Sequence, residues 1–405
     1  MIMDITERKT FKIVVVGHID HGKSTLIGRL LYDTGSLFSG KPADMALVVD
    51  QLQEEREKEM TIDTTQAFFH TKKHNYVIID APGHKEFMRN MITGASQAEA
   101  TVLVLDVEKG IQEQFRRHAS FLKMLGIKEN IVVVNKMDLT DYKRGPFDKA
   151  RKEIESFSEM SGICFSALIP ISARDGDNIA TRSKNTPWYS GPTLVGSLDA
   201  LKKSNNPAGK WFRMPVQDVY NVGGKKVIVG RIESGGVKEG EETVLLPGNK
   251  EVSVSGIFEF KKKKEHAGCG ESIGLAIKEN VPVKRGDMIS DKNNLPVVAN
   301  GLSGNLFWMR QKPFKMEEKL VFRCNTQSVP CRVSRIEKRI DSSTLKVLEK
   351  GARSLDETEI GEVLIETGKP VVVERFSEVP ALGRFVLEKG GSVVAGGIIT
   401  GAGKI

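Results

Sequence analysis

The sequence has no long apolar run and very few cysteines. No stretch approaches the roughly 18 to 20 apolar residues that a membrane-spanning helix needs. A polar start leads directly into a predicted strand, so we expect no signal peptide. The four cysteines in 405 residues, at positions 164, 269, 324 and 331, form no C-x-x-C pair, which argues against structural zinc and against a disulfide framework. These absences predict a cytoplasmic protein that does not contact a membrane.

Positive charge is in excess, with a net charge of +8. Such an excess can favour nucleic acid, an acidic partner or an anionic ligand, and the total does not choose among them. The densest basic run, KKKK at residues 261–264, has no aromatic residues interleaved with it. A solvated hairpin tip is therefore favoured over a patch that binds RNA phosphates.

The pattern of hydrophobic residues differs between the first and the second half of the chain. Up to about residue 203, short β-branched apolar runs such as FKIVVVG, ATVLVLD and NIVVVNKMD alternate with segments of helical period. Runs that are apolar on both faces are typical of a parallel sheet covered by helices, where ligands bind beyond the carboxyl ends of the strands. From about Phe212 onward, short alternating stretches are separated by glycine turns, which predicts all-β barrels or sandwiches.

The motif GHIDHGKS, at residues 17–24, follows a predicted strand and opens a predicted helix. It fits the phosphate-binding pattern G-x-x-x-x-G-K-[ST]. In that pattern backbone N–H groups wrap the phosphates, the lysine adds positive charge and the hydroxyl reaches Mg²⁺, so Ser24 is a predicted metal ligand. The predicted phosphate-binding residues here are Gly17, His18, Ile19, Asp20, His21, Gly22, Lys23, Ser24 and Thr25.

A second motif, DAPGH at residues 80–84, ends another apolar run. A carboxylate at this place can hold Mg²⁺ through its water shell, so Asp80 is a predicted metal ligand. The Gly83 N–H is predicted to contact the γ-phosphate, because no Cβ obstructs a close approach. His84 is the predicted catalytic residue, since it can position the attacking water.

Two further motifs predict selectivity for guanine. In NKMD, at residues 135–138, the Asp138 carboxylate can accept hydrogen bonds from guanine N1 and the exocyclic amine, whereas adenine offers no such pair of donors. Asn135 and Lys136 are predicted to brace the loop and cover the ring. In SAR, at residues 172–174, Ser172 and Ala173 complete the site, and the Ala173 N–H is predicted to reach guanine O6.

In this order the motifs resemble those of translation-factor-type GTPases of the elongation factor Tu and elongation factor 1-alpha superfamily. The matching stretches are GHIDHGKSTLIGRLLYDTG, TID, DAPGHKEFMRNMITGAS, NKMDL and RMPVQDVY. The resemblance spans essentially the whole chain and implies an α/β P-loop GTPase domain with a doubly wound, mostly parallel sheet, followed by two all-β barrels. The corresponding ranges are 8–205, 206–298 and 299–405. It also implies the cofactors GTP and Mg²⁺, with Thr61 as a further metal ligand.

Within the superfamily, several segments resemble the large, GTP-hydrolysing subunit of the bacterial heterodimeric ATP sulfurylase, sulfate adenylyltransferase subunit 1. These segments include QFRRH at 114–118, GDNIATRSKNTPWYSGPTL at 176–194 and LFWM at 306–309. This branch implies a role in sulfate activation, in which GTP hydrolysis drives adenylyl transfer in a small catalytic partner subunit.

Two alternatives remain open, a factor that delivers aminoacyl-tRNA to the ribosome and a nucleotide-dependent switch that hydrolyses GTP poorly.

The stretch EREKEMTID departs from the family pattern because Glu59 stands where a glycine is usual. If that glycine adopts a positive φ, glutamate costs on the order of 1 kcal/mol there and shifts the equilibrium of the switch segment. We therefore expect intact GTP binding with an altered switch.

Overall fold

The structure is a computed structural model that describes residues 8–36, 66–80, 98–202, 211–222, 225–259, 262–316 and 318–403. The chain divides into two compact units, Met1–Lys203 with Ser342–Lys346 and Ser204–Asp341 with Val347–Ile405. The division into three domains at the ranges given above remains a prediction. None of the helices within the described residues is long and apolar enough to cross a membrane.

The first unit is built on a six-stranded sheet in the order β2-β3-β1-β4-β5-β6. Its strands are β1 (Thr10–Gly17), β2 (Gln66–His70), β3 (Asn75–Asp80), β4 (Ala100–Asp106), β5 (Glu129–Asn135) and β6 (Ala167–Pro170). The helices are α1 (Lys23–Asp33), α2 (Glu113–Met124), α3 (Arg144–Ser161) and α4 (Leu194–Asp199), and short 3-10 helices span Ile19–His21 and Met137–Thr140. All strand pairs are parallel except β2 with β3. The predicted mostly parallel α/β sheet is therefore confirmed.

Burial explains why these segments form strands and helices. Every residue of β4 is buried, as expected for a central strand that is covered on both faces. On α1 the buried residues Leu26, Ile27, Leu30 and Leu31 recur at helical spacing and pack into the core beneath the sheet. Because β1, β4 and β5 run parallel, their carboxyl ends meet at one edge of the sheet, where the predicted nucleotide motifs follow them.

The second unit consists of two β-rich parts. The first contains β7 (Arg213–Val222), β8 (Lys225–Arg231), β9 (Gly236–Lys238), β10 (Glu242–Leu246), β11 (Lys250–Glu259), β12 (Lys262–Lys264), β13 (His266–Gly268), β14 (Ser272–Ile277) and β15 (Met288–Asp291). The second contains β16 (Val297–Trp308), β17 (Phe314–Lys315), β18 (Leu320–Cys324), β19 (Gln327–Ile340), β20 (Val347–Lys350), β21 (Ser354–Leu355), β22 (Ile360–Val373), α5 (Pro380–Gly383), β23 (Arg384–Lys389) and β24 (Ser392–Gly403).

Each part closes into a barrel. In the order β10-β15-β7-β8-β14-β11, the last strand pairs back with β10, so six strands form a ring and β12 stays outside it. In the order β18-β23-β24-β16-β22-β19, the last strand likewise pairs back with β18. Closure leaves no open sheet edge within these rings. The predicted barrels are therefore confirmed.

The two barrels share an apolar cluster and a buried ion pair. Leu246 and Met288 of the first barrel pack with Val372 and Leu382 of the second part. Nearby, Nε of Arg213 lies 2.7 Å from Oε1 of Glu374, and both side chains are almost completely buried. This pair therefore links the start of β7 to the end of β22.

The basic run of the first barrel is largely paired with acidic side chains. Residues Lys262–Lys264 form β12, the outer strand of a hairpin with β11. Lys263 pairs with Glu239, and Lys264 pairs with Glu259 and Glu271. These contacts offset much of the local positive charge, which agrees with a solvated hairpin.

Candidate functional site

The predicted phosphate loop connects β1 to α1. Gly17 ends β1, and Gly22, with φ +82°, precedes the first residue of α1, Lys23. A Cβ at Gly17 would lie 2.9 Å from the Val104 carbonyl oxygen, so glycine is needed for close packing against β4. Lys23 is buried at the helix N-terminus, where N–H groups and the helix dipole favour an anion. The loop and the helix N-terminus lie where the motif predicts them, and phosphate binding by these residues stays a prediction.

His21 is a structural part of this loop. Its side chain is buried and Nδ1 lies 3.3 Å from the Val104 carbonyl oxygen. Burial lowers the pKa of His21, so the ring is neutral near pH 7. Asp20, by contrast, is exposed and its carboxylate lies 3.7 Å from Nζ of Lys109. Any contact from His21 or Asp20 to phosphate is therefore expected to come from the backbone.

Asn135 joins the phosphate loop to the predicted guanine site. Its Nδ2 donates to the His21 carbonyl oxygen at 2.8 Å, and its Oδ1 accepts from the Ala173 N–H at 2.9 Å. The side chain is buried, so both bonds are shielded from water. Asn135 thus braces the loops as predicted. The Ala173 N–H already has an acceptor in this arrangement, so contact with guanine O6 requires it to be shared or exchanged.

Asp138 is held beside the SAR segment. Its Oδ1 accepts a hydrogen bond of 2.8 Å from the Ser172 hydroxyl, and its Oδ2 lies 3.3 Å from Nη1 of Arg174. The Asp138 side chain is only 7% exposed. The structure therefore brings Asn135, Asp138, Ser172 and Ala173 together at one edge of the sheet, as the motifs predict.

Asp106 is a site residue that was not predicted from the sequence. It ends β4 and is buried, and its Oδ2 lies 2.9 Å from Nζ of Lys136. Burial alone would raise the pKa of the Asp106 carboxyl, but hydrogen bonds from Lys136 and the Glu108 N–H lower it overall. Lys136 itself has a φ of +67°, which is uncommon for a lysine. The ion pair with Asp106 holds this lysine in place. In the sequence, the signal that could have identified Asp106 is an aspartate at the end of an apolar parallel strand.

Tyr142 was missed as well. Its hydroxyl lies 2.8 Å from Oδ2 of Asp175 and 2.8 Å from Oδ2 of Asp177. Burial, followed by the hydrogen bond to Asp177, raises the pKa of Tyr142, so the hydroxyl stays protonated. The indole N–H of Trp188 donates to the Tyr142 carbonyl oxygen at 2.9 Å. Tyr142 thereby fastens the loop that carries Asp138 to the segment that follows Ala173.

Some predicted site residues lie outside the described part of the chain. These are Thr61, Gly83 and His84, together with Glu59. Asp80 is the last residue of β3 and pairs in register with Val15 of β1, and only its backbone is described. Ser24 lies in the first turn of α1. Within the described ranges, no group of three or more His, Cys, Asp or Glu side chains could hold a metal by itself.

Replacing Gly22 with alanine is expected to weaken nucleotide binding about tenfold or more. The left-handed backbone costs about 1 kcal/mol for alanine, and the new Cβ would lie 2.6 Å from Nδ2 of Asn135. The Asn135 side chain must then move and lose its two bonds. The dissociation constant of a fluorescent GDP analogue measures the effect.

Gly35→Ala is the matched control for this change. Gly35 has a φ of +71°, and a Cβ there would meet nothing within 4 Å. It therefore carries the backbone cost without the clash. If both variants lose the same affinity, the contact with Asn135 does not matter for binding.

Comparison with known proteins identifies family models and relatives that all belong to elongation factors. Residues 8–217 match the family described as Elongation factor Tu GTP binding domain, and residues 302–400 match GTP-eEF1A C-terminal domain-like. Elongation factor 1-alpha of Saccharolobus solfataricus is 37% identical over 428 residues, covering 98% of this chain and 98% of that protein. Elongation factor 1-alpha of Archaeoglobus fulgidus is 35% identical over 413 residues, covering 97% and 98%.

A solved structure of sup35 complexed with GMPPNP covers 98% of this chain and 95% of its own, at 24% identity and a TM-score of 0.48.

The predicted role in a sulfate adenylyltransferase, with its small partner subunit, is wrong. The near full-length relatives are elongation factors 1-alpha. The segments that suggested the sulfurylase serve the fold instead. Trp188 packs on Phe147 of α3, Arg116 lies over the ring of Phe157, and Trp308 is buried in the second barrel. In this chain these three side chains therefore have packing roles.

Proposed function

Because the chain belongs to the GTPase family of elongation factor Tu and elongation factor 1-alpha, we propose that it delivers aminoacyl-tRNA to the ribosome. It binds GTP and Mg²⁺ and is a GTPase. The observation that carries the proposal is the extent of the match. Relatives named elongation factor 1-alpha align over 97–98% of this chain, so both barrels are included along with the GTPase domain.

The base is recognised at Asp138. Its carboxylate accepts the N1–H and the exocyclic amine of guanine, and an adenine would leave this buried charge without those donors. Ser172 holds one oxygen of the carboxylate, and Asn135 keeps the two loops at a fixed separation. Lys136, anchored by Asp106, lies beside this site and covers the ring with its aliphatic stem.

The phosphates lie along the loop between Gly17 and Lys23. Backbone N–H groups and the N-terminus of α1 orient them, and the Lys23 ammonium offsets their charge. Mg²⁺, when bound, neutralises the charge that develops on the phosphates, and the proposed protein ligands are Ser24, Asp80 and Thr61. The proposed role of His84 is to orient the water that attacks the γ-phosphate.

A protection assay tests the proposed delivery of aminoacyl-tRNA. The GTP-bound protein is mixed with aminoacyl-tRNA, and the rate of spontaneous deacylation is measured. We expect slower deacylation with GTP than with GDP, and an affinity for aminoacyl-tRNA at least about tenfold higher than for deacylated tRNA, a difference of about 1.4 kcal/mol.

The comparison with deacylated tRNA controls for the net charge of the protein. Non-specific binding of a basic protein to RNA is strongly weakened by salt and does not depend on the amino acid. Equal binding of the two tRNAs at the same salt concentration, or binding that ignores the nucleotide, contradicts the proposal. Ribosome-stimulated GTP hydrolysis provides a second, independent readout.

A further inference from the structure

The Arg174 guanidinium contacts the carboxylate to which we assign guanine. Its Nη1 lies 3.3 Å from Oδ2 of Asp138. Its Nε and Nη2 each lie 3.0 Å from one oxygen of Asp175, in a fork. The Arg174 side chain is 65% exposed and that of Asp138 only 7% exposed, so the cation approaches a buried anion from the solvent side.

Arginine and guanine offer the same kind of donors to a carboxylate. Both present planar N–H groups, and on guanine these are N1–H and the exocyclic amine. Oδ1 of Asp138 already accepts from the Ser172 hydroxyl, which leaves Oδ2 as the more open oxygen. Arg174 lies on this oxygen, and the base needs to reach the same atom.

We propose that Arg174 sets the affinity for guanine nucleotides by competing with the base for Asp138. This inference rests on the guanine-binding role proposed for Asp138. It identifies a residue that tunes nucleotide affinity, outside the set that the motifs predict to bind the base.

The anchor at Asp175 makes the displacement of Arg174 a small movement. Asp175 is fixed by the Tyr142 hydroxyl, and its own N–H donates to the Ser172 hydroxyl oxygen at 3.1 Å. When the base takes Oδ2 of Asp138, only the Nη1 contact of Arg174 is lost, and the fork to Asp175 remains. Hydrogen bonds from Arg174 lower the pKa of Asp175, so its carboxylate stays charged and holds the fork at neutral pH.

Competition and simple electrostatics predict opposite results. Removing a cation near an anionic ligand should weaken binding if the charge only attracts the phosphates. If Arg174 occupies the base site, only the fraction of molecules with Asp138 open can bind, and the apparent dissociation constant equals the intrinsic one divided by that fraction. Removing Arg174 should then tighten binding, chiefly through a faster association rate.

The test uses the full chain and stopped-flow binding of a fluorescent GDP analogue. We expect Arg174→Ala to bind GDP about threefold to tenfold more tightly, with the change in the association rate constant. The control is Arg144→Ala on α3, which removes an equally exposed arginine that pairs with Asp148. It should bind GDP no more tightly than the unmodified protein.

A double-mutant cycle with Asp138→Asn locates the effect. In that background the nucleotide is xanthosine diphosphate, and Arg174 keeps its fork to Asp175 but no longer faces a carboxylate at position 138. Arg174→Ala should therefore change the affinity much less than it does for GDP with Asp138 present. An equal gain in both backgrounds would show that Arg174 does not act through Asp138.

The outcomes separate this inference from the proposed function. If Asp138→Asn abolishes GDP binding but Arg174→Ala leaves it unchanged or weaker, the base is read as proposed and the competition is wrong. If Asp138→Asn has no effect on base preference, the assignment of guanine to Asp138 fails, and the inference about Arg174 fails with it.

Discussion

Replacing Asp138 with asparagine is expected to change the base preference from guanine to xanthine. The amide NH₂ would face the exocyclic amine of guanine, so two donors would meet where a charged acceptor stood. Loss of two hydrogen bonds to a charged group costs about 3 kcal/mol or more, which is at least about a hundredfold in affinity for GDP. Xanthine carries a carbonyl at that position and accepts from the new amide, so binding of xanthosine diphosphate should appear.

Asp141→Asn is the matched control for the base switch. It makes the same chemical change in the same loop, but the Asp141 side chain is exposed and pairs with Lys143. Competition of unlabelled GDP, IDP and XDP against a fluorescent nucleotide measures all three affinities. Retention of tight GDP binding by Asp138→Asn would show that another group reads the base.

The parallel strands were predictable because their sequences are apolar on both faces. β1, β4 and β5 lie where the runs FKIVVVG, ATVLVLD and NIVVVNKMD predict them. β2 was not predicted. Its sequence QAFFH buries Phe69 but leaves Phe68 60% exposed, which is the alternation of an antiparallel edge strand. So short a stretch carries too little periodicity to be assigned from sequence alone.

The site was predictable where a motif fixes the spacing of its residues. Asn135, Asp138 and Ser172 come together because each follows a strand of one parallel sheet. The position of Asp106 at a strand end was a usable signal, but the pairing of Asp106 with Lys136 and that of Tyr142 with Asp177 are defined only by the folded chain. Tyr142 also adopts a φ of +54°, a backbone state that sequence patterns rarely reveal for a tyrosine.

The PWYSGPTL segment, which suggested the sulfurylase branch, has a local structural role in this chain. In the fold, the Tyr189 hydroxyl donates to the Pro192 carbonyl oxygen, and the Thr193 hydroxyl caps α4 by accepting from the Gly196 N–H. These contacts order the segment that leads into α4 and cap the helix.

Removing Arg213 is expected to cause a large loss of stability in the second unit. Its guanidinium donates from Nε to Glu374, from Nη1 to the Phe212 carbonyl oxygen and from Nη2 to Asn294, at 2.7, 3.0 and 2.7 Å. The Arg213 side chain is 2% exposed. In Arg213→Met the Glu374 carboxylate stays buried without a cation, which costs about 3 to 5 kcal/mol. Chemical denaturation measures the loss in the free energy of unfolding. Hydrogen exchange of the backbone amides in β7 and β22 locates the loss.

The exposed pair of Arg332 and Glu366 on the second barrel supplies the control. Arg332→Met removes an arginine that is 66% exposed, so we expect at most about 1 kcal/mol. A second variant, Arg213→Met with Glu374→Leu, removes both buried charges and should recover most of the lost stability, because a buried ion pair can be replaced by apolar side chains of similar volume. If the double variant is as unstable as Arg213→Met, the loss comes from packing and not from the unpaired carboxylate.

The dependence on pH gives the unpaired carboxylate a signature of its own. Burial already raises the pKa of Glu374 above its usual value, although Arg213 acts against that shift. Without Arg213 the pKa should rise further. A carboxyl whose pKa is raised in the folded state destabilises the fold only where it must ionise. The penalty is therefore absent below the unfolded pKa, grows as the pH rises from the unfolded pKa to the folded one, and stays constant above it. The difference in stability between Arg213→Met and the unmodified protein should therefore be small near pH 4 and largest at neutral pH, whereas a loss caused by packing alone would be the same at both.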